Sequence, residues 1–124
     1  MPKQKHANVD PHLLMVFQRM ASSVEGVEVK GDANPYVSMN GNMYASISKT
    51  GEIGVRLPKD ARAQFIKAHN TTLYESIPGF FQREYVTVPS RLHADKTFMA
   101  QLFAQSHAYA RTLKPKPTKR KAKG

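Results

Sequence analysis

The chain contains no cysteine. That excludes both a disulfide framework and a thiolate metal site, and it fits a reducing compartment. No apolar run approaches the ~20 residues that a membrane-spanning helix needs. The opening stretch, MPKQKHANVDPH, has no apolar segment of the kind a secretory signal carries. From these absences we expect a soluble, cytoplasmic protein with no membrane partner. Asn70-Thr71-Thr72 matches a glycosylation acceptor, a match without meaning in that compartment.

Acidic residues are also scarce. There are 9 Asp and Glu against 19 Lys and Arg, a net charge of +10 over 124 residues. The excess is not spread evenly. The last stretch, KPKPTKRKAKG, carries Lys114, Lys116, Lys119, Arg120, Lys121 and Lys123 and no acid, and Lys3 and Lys5 sit at the other end. Residues 6–113 hold 11 basic and all 9 acidic side chains. The body is therefore close to neutral, and the basicity belongs to the ends. Lys and Pro alternate in the tail, which rules out a helix, and nothing apolar drives it to pack. It reads as a disordered basic tail, residues 114–124, able to neutralise phosphates. The plainer alternative is a solubilising tail. Sequence-specific reading of nucleic acid is not expected, because the body shows no basic recognition helix.

A chain of this length, 40% hydrophobic, fits one domain around one core. Residues 1–10 read as a flexible N-terminal arm, and residues 11–113 as the domain. Asp10-Pro11 is a helix start, since Asp caps free N–H groups and Pro fits the first helical position. Leu13, Leu14, Phe17, Met20, Ala21 and Val24 then recur at helical spacing, giving a helix over about 11–24. VEVKG (27–31) reads as a short strand or an extended lead-in, followed by a DANP turn.

The two hairpins that follow are the clearest pattern in the chain. YVSM and MYASIS flank Asn40-Gly41, and MYASIS and EIGVRL flank KTG, which places Gly51 in a left-handed position. The second turn pairs Ala45 with Val55, Ile47 with Ile53 and Met43 with Leu57 on one side of the sheet. Tyr44, Ser46, Gly54 and Arg56 fall on the other. The first hairpin allows two registers. A two-residue turn puts Val37 opposite Tyr44, whereas burial favours Val37 opposite Ala45.

Pro58 opens a helix, KDARAQFIKAH, with Ala61, Phe65, Ile66 and Ala68 inward. LYES and REYVTVP read as strands about an Ile77-Pro78-Gly79 turn. DKTFMAQLFAQSHAYARTL reads as a long helix with Phe98, Met99, Leu102, Phe103, Ser106, Tyr109, Ala110 and Leu113 inward. The fold expected is two-layer α+β, with order α-β-β-β-α-β-β-α and a mostly antiparallel sheet. Helices on one face would leave the other partly wet. Tyr36, Tyr44, Arg56 and Arg83 then form a candidate partner or ligand patch, with Arg56 over Tyr44 as a cation–π pair. The alternative is an ordinary cross-strand pair holding the hairpin.

The segments MNGNMYASIS, GVRLP, IPGF, EYVTVP and SHAYARTL occur in this order. Together they resemble the TfoX N-terminal-domain family, a relative of the YjbR-like proteins, over about Leu13 to Leu113. The resemblance implies a two-layer α+β fold of the secretion-chaperone-like type. It also implies a loose association with regulation of bacterial competence genes. That association belongs to longer proteins with a further C-terminal domain, where this sequence has the short basic tail. Two residues match the family pattern, Tyr44 after the first hairpin and Arg56 near the end of the third strand. The resemblance brings no catalytic set.

The residues themselves show no catalytic set either. His6, His12, His69, His93 and His107 are scattered, with none of the i, i+4 pairing of a helical zinc site. Ser106 and His107 are neighbours on a helix and point about 100° apart. Ser46 and Lys49 spell S-x-x-K, but across a turn. Glu75 and Glu84 flank a turn, either as a carboxylate pair or as solvated charges, and nothing in the sequence recommends the pair. No glycine cluster forms a phosphate loop, and no cofactor is implied. The expectation is a non-enzymatic binding or regulatory module with a nucleic-acid partner reached through the tail. The alternative is a protein-interaction domain, monomer or homodimer, joined through the open sheet face or an edge strand.

Overall fold

The computed structural model describes residues 9–31, 35–48, 50–77 and 79–115, the side chains at 76 and 77 excepted. Its elements run α1 (Pro11–Ala21), β1 (Tyr36–Met39), β2 (Asn42–Ile47), β3 (Ile53–Arg56), α2 (Lys59–His69), β4 (Leu73–Ile77), β5 (Phe80–Val88), a 3-10 turn (Ser90–Leu92) and α3 (Lys96–Thr112). All five strands form one sheet in the order β1-β2-β3-β5-β4, and every pairing is antiparallel. The fold is α+β with the expected element order. VEVKG contributes no strand, only a single bridge between Lys30 and Tyr36. Tail residues 116–124, arm residues 1–8, Lys49, Pro78 and the 32–34 part of the DANP turn lie outside the described residues.

The helix starts follow from capping. The Asp10 carboxylate accepts from the Leu13 N–H at 3.2 Å, and the Asp95 carboxylate from the Phe98 N–H at 3.0 Å. Val9, just before α1, is partly buried against the core. On α1 the inward face is Leu13, Val16, Phe17, Met20 and Ala21. Val16 takes the place expected for Leu14, which is half-buried, because the stripe turns with the 3.6-residue period. On α2 only Phe65 is buried, and Ala68 faces solvent rather than the core. On α3 the buried stripe is Met99, Leu102, Phe103, Ser106 and Ala110. Helix α3 crosses β1, β2 and β3 and touches α1, while α2 lies against β5. Ala45, Ile47, Ile53, Val55, Val86 and Val88 meet this layer as the core.

Both readings of the first hairpin hold, one at each end. Asn40 and Gly41 have positive φ, 53° and 83°, and close a two-residue turn with Met39 opposite Asn42. Two residues back along β1, Val37 nevertheless faces Ala45. A bulge between Val37 and Ser38 absorbs the difference, and Tyr44 is the extra residue. The bulge aims the Tyr44 ring at α3, so it leaves the polar side of the sheet.

That polar side is not bare. Past Leu73 the register of β4 on β5 shifts abruptly, from Leu73 opposite Val86 to Tyr74 opposite Gln82. The displaced strand carries Tyr74 across the sheet, over Gly54 on β3, until its hydroxyl reaches Ser46 Oγ on β2 at 2.8 Å. Tyr74 is 0% exposed and Tyr85 5%, with ring centroids 5.9 Å apart. The second face, expected to be partly wet, is covered over Ser46 and Gly54, while Arg56 and Tyr36 stay half-buried at its margin. Strand β4 itself covers that face with tyrosine, without a second helical layer.

Candidate functional site

The four residues of the expected patch do not come together. Tyr44 is fully buried on the helix side, its ring 5.5 Å from Phe103 and its hydroxyl 2.8 Å from His107 Nδ1. Arg56 stays on the other side, 5.9 Å above the Tyr85 ring, so the cation–π partner is Tyr85 rather than Tyr44. Its guanidinium also donates to Glu84 at 2.7 Å and to the Met43 carbonyl at 3.2 Å. Tyr36 is half-buried beside Lys30 and Ser46. Arg83 is exposed and, among the described residues, has no ion pair.

Strand β2 pairs with β3 only as far as Ala45 opposite Val55, so the Tyr44 and Arg56 carbonyls lie just past that pairing. Ser106, 0% exposed, donates to the Tyr44 carbonyl at 3.2 Å and to the Arg56 carbonyl at 2.7 Å. Its single O–H lies between the two carbonyls, closer to that of Arg56, and shares one proton between them. Its neighbour His107 points instead to the Tyr44 hydroxyl, so the two residues form no dyad.

Above this pair lies a pocket of ≈ 220 Å³ walled by residues 25–28, Lys30, Ser38 and Met39, with Tyr44 and His107 among its lining. Burial pushes the Tyr44 phenol up to about 12 and holds His107 below the usual histidine value, with Arg111 lowering it further. At neutral pH both groups are uncharged, and the pocket's charges are Glu25, Glu28 and Lys30 on its rim. A second, shallower groove of ≈ 280 Å³ runs between α2 and α3, with Phe65, His69 and Phe98 packed ring to ring along it.

The other polar groups that could suggest chemistry are engaged in holding the fold. Ser46 bonds Tyr74, and its S-x-x-K partner Lys49 lies outside the described residues. Glu75 accepts from the Gly79 N–H at 2.6 Å, and Glu84 holds Arg56. His93 is buried, 3.3 Å from the Val88 carbonyl, and desolvation lowers its pKa. His69 packs between Phe65 and Phe98, and its carbonyl accepts from Arg91. Among the described residues no group of three or more His, Asp or Glu is placed to hold a metal ion. Among the described residues no helix is long and apolar enough to cross a membrane.

Of the six tail cations only Lys114 is described. Its side chain is exposed, and its carbonyl accepts from the Asn42 amide at 3.0 Å. The root of the tail is therefore fixed beside the β1–β2 turn. Lys116, Lys119, Arg120, Lys121 and Lys123 lie outside the described residues.

Sequence reasoning passed over Phe80 and Phe81, which are 56% and 55% exposed at the start of β5. Their signal was available. Adjacent residues in a strand face opposite sides, so two successive phenylalanines cannot both enter one core. No protein-family model, curated protein or solved structure matches the chain.

Proposed function

We propose that the chain is a non-enzymatic binding module of the TfoX N-terminal type, with regulatory use, in which a near-neutral body carries a basic tail with nonspecific affinity for nucleic acid. One observation carries the reading. Six cations follow one another in 114–124 without an acid, and the Asn42–Lys114 hydrogen bond anchors the start of that segment on the sheet. A fixed root with a cationic extension suits electrostatic association with phosphates. The ordered motifs of the sequence support the family type. The engagement of Ser46, Ser106, Glu75 and Glu84 in structural hydrogen bonds supports a module without a reaction.

Fluorescence anisotropy with a labelled duplex tests the tail. The comparison is the full chain against one stopped after Pro115, which keeps the Asn42–Lys114 bond. The full chain binds in low salt and the shortened chain binds far more weakly. Equal affinity for both removes the tail from the function.

A further inference from the structure

The tip of the β4–β5 ribbon is the most conspicuous unpartnered surface. Among the described residues three large hydrophobic side chains stand more than a third exposed, and two of them are Phe80 and Phe81. Phe81 and Arg83 are two residues apart on one strand and share a side of it. Arg83 is exposed and without an ion pair among the described residues.

The position of this tip relates it to the tail. The Met43 carbonyl accepts from both Arg56 and the Tyr85 hydroxyl, so the start of β2, the end of β3 and the middle of β5 meet at one end of the sheet. Residues 80–83 run beyond that end, because β5 pairs with β3 only from Tyr85 onward, with one further bond from Leu57 N–H to the Glu84 carbonyl. Asn42, which holds Lys114, lies one residue before Met43 at the same end. The aromatic tip and the root of the cationic tail thus project from the same edge of the molecule.

We infer that this end of the sheet binds single-stranded nucleic acid, with unpaired bases stacked on Phe80 and Phe81 and a phosphate on Arg83. The inference rests on the nucleic-acid reading above and names its substrate class. Two features of the surface favour this occupant over a second protein. Each Phe leaves roughly 100 Å² accessible, taking half of an aromatic side chain's area, against the roughly 800 Å² per partner of a stable protein interface. The two rings also face opposite sides of the ribbon, so they form no continuous apolar patch. A base needs only one ring face to stack upon, and any base supplies one. Duplex DNA keeps its bases stacked internally and offers these rings nothing but backbone.

The test uses the full chain with fluorescein-labelled oligo(dT), and a duplex of equal length as the comparison. Phe80→Leu with Phe81→Leu keeps the side chains apolar and removes the π-faces, and Phe80→Ala with Phe81→Ala is the stronger variant. The double Ala variant lowers single-strand affinity about thirtyfold, the lower end of the range for two base–aromatic stacks, the double Leu variant lowers it less, and both leave duplex affinity unchanged. Arg83→Gln weakens both and reduces the salt slope by about one. In NMR spectra the Phe ring protons shift upfield on addition of oligo(dT). Duplex binding that persists while single-strand affinity ignores both Phe variants overturns this inference alone. Failure of the wild-type chain to bind either probe overturns it together with the nucleic-acid reading. A concentration-dependent dimer abolished by the Phe variants overturns it in favour of self-association.

Discussion

Gly54 lies in the middle of β3, where a glycine ordinarily weakens a strand. Its place is explained by the Tyr74 ring, which rests on its α-carbon. A Cβ built at Gly54 would sit 2.3 Å from Tyr74 Cδ1 and Cγ and 2.6 Å from Cδ2. Gly54→Ala must therefore drive the ring off the sheet or bend β3. Tyr74 is 0% exposed. Expelling a ring of roughly 200 Å² forfeits about 5 kcal/mol at ~25 cal/mol per Å². The lost Ser46 hydrogen bond adds about 1 kcal/mol. Partial relaxation recovers some of this, so the expected destabilisation is about 3–5 kcal/mol. Urea unfolding followed by circular dichroism measures it. Tyr74→Ala supplies the control. With the ring gone, Gly54→Ala should be neutral or stabilise by about 0.5 kcal/mol, through the unfolded chain. Such non-additivity identifies the contact as the cause. A Gly54→Ala protein within about 1 kcal/mol of wild type, or an equal loss in both backgrounds, refutes the idea that β4 closes the second face by laying Tyr74 on Gly54.

Ser106→Ala removes the donor to two strand carbonyls under α3 and should cost about 1–3 kcal/mol, whereas Ser23→Ala, on a hydroxyl that bonds only its own helix end, should cost well under 1 kcal/mol; the same urea titration separates them. Stability should form a plateau in pH. The Tyr44, Tyr74 and Tyr85 phenols are raised from 10.0 to about 12 chiefly by burial. Above pH 10 the unfolded chain sheds protons that the native state keeps, and stability falls by up to about 3 kcal/mol for one such group. His93 and His107 are lowered below 6.5 by desolvation. Below that pH the unfolded chain takes up protons that the native state resists, so stability falls again on acidification. Thermal unfolding across pH 5–12 checks both arms, and absorbance at 295 nm should show the three buried phenols titrating only as the chain opens at high pH.

The register of β2 on β3 was legible because a three-residue turn with glycine and the apolar alternation demand the same pairing, Ile47 with Ile53 and Ala45 with Val55. The first hairpin was ambiguous because its two signals disagree by one residue. The chain satisfies each where it acts, Asn40-Gly41 at the turn and Val37 in the core, and bulges at Tyr44 between them. A bulge reverses the side taken by the residue it adds, so Tyr44 moved from the expected patch to the pocket beside His107. The covering of the second face was harder to see. It depends on a three-residue slip of β4 along β5, which no local pattern in LYES or REYVTVP encodes. The mid-strand glycine was the clue, since such a residue marks a close approach. The helix stripes of α1 and α3 were read nearly in full, because burial there follows one period. The charge separation needed no structure, being a property of where Lys and Arg fall in the chain.

The most direct measurement of the central claim is the slope of log K against log salt concentration for binding of the full chain to a duplex. With about six phosphates neutralised by the tail, the slope should be about −5, and affinity should fall roughly a thousandfold over a fourfold rise in salt. Charge-neutralising Gln substitutions at Lys114, Lys116, Lys119, Arg120, Lys121 and Lys123 should bring the slope to about −1 or shallower, what Arg83 alone supplies. A steep slope that survives those substitutions would place the binding surface on the body and contradict the account.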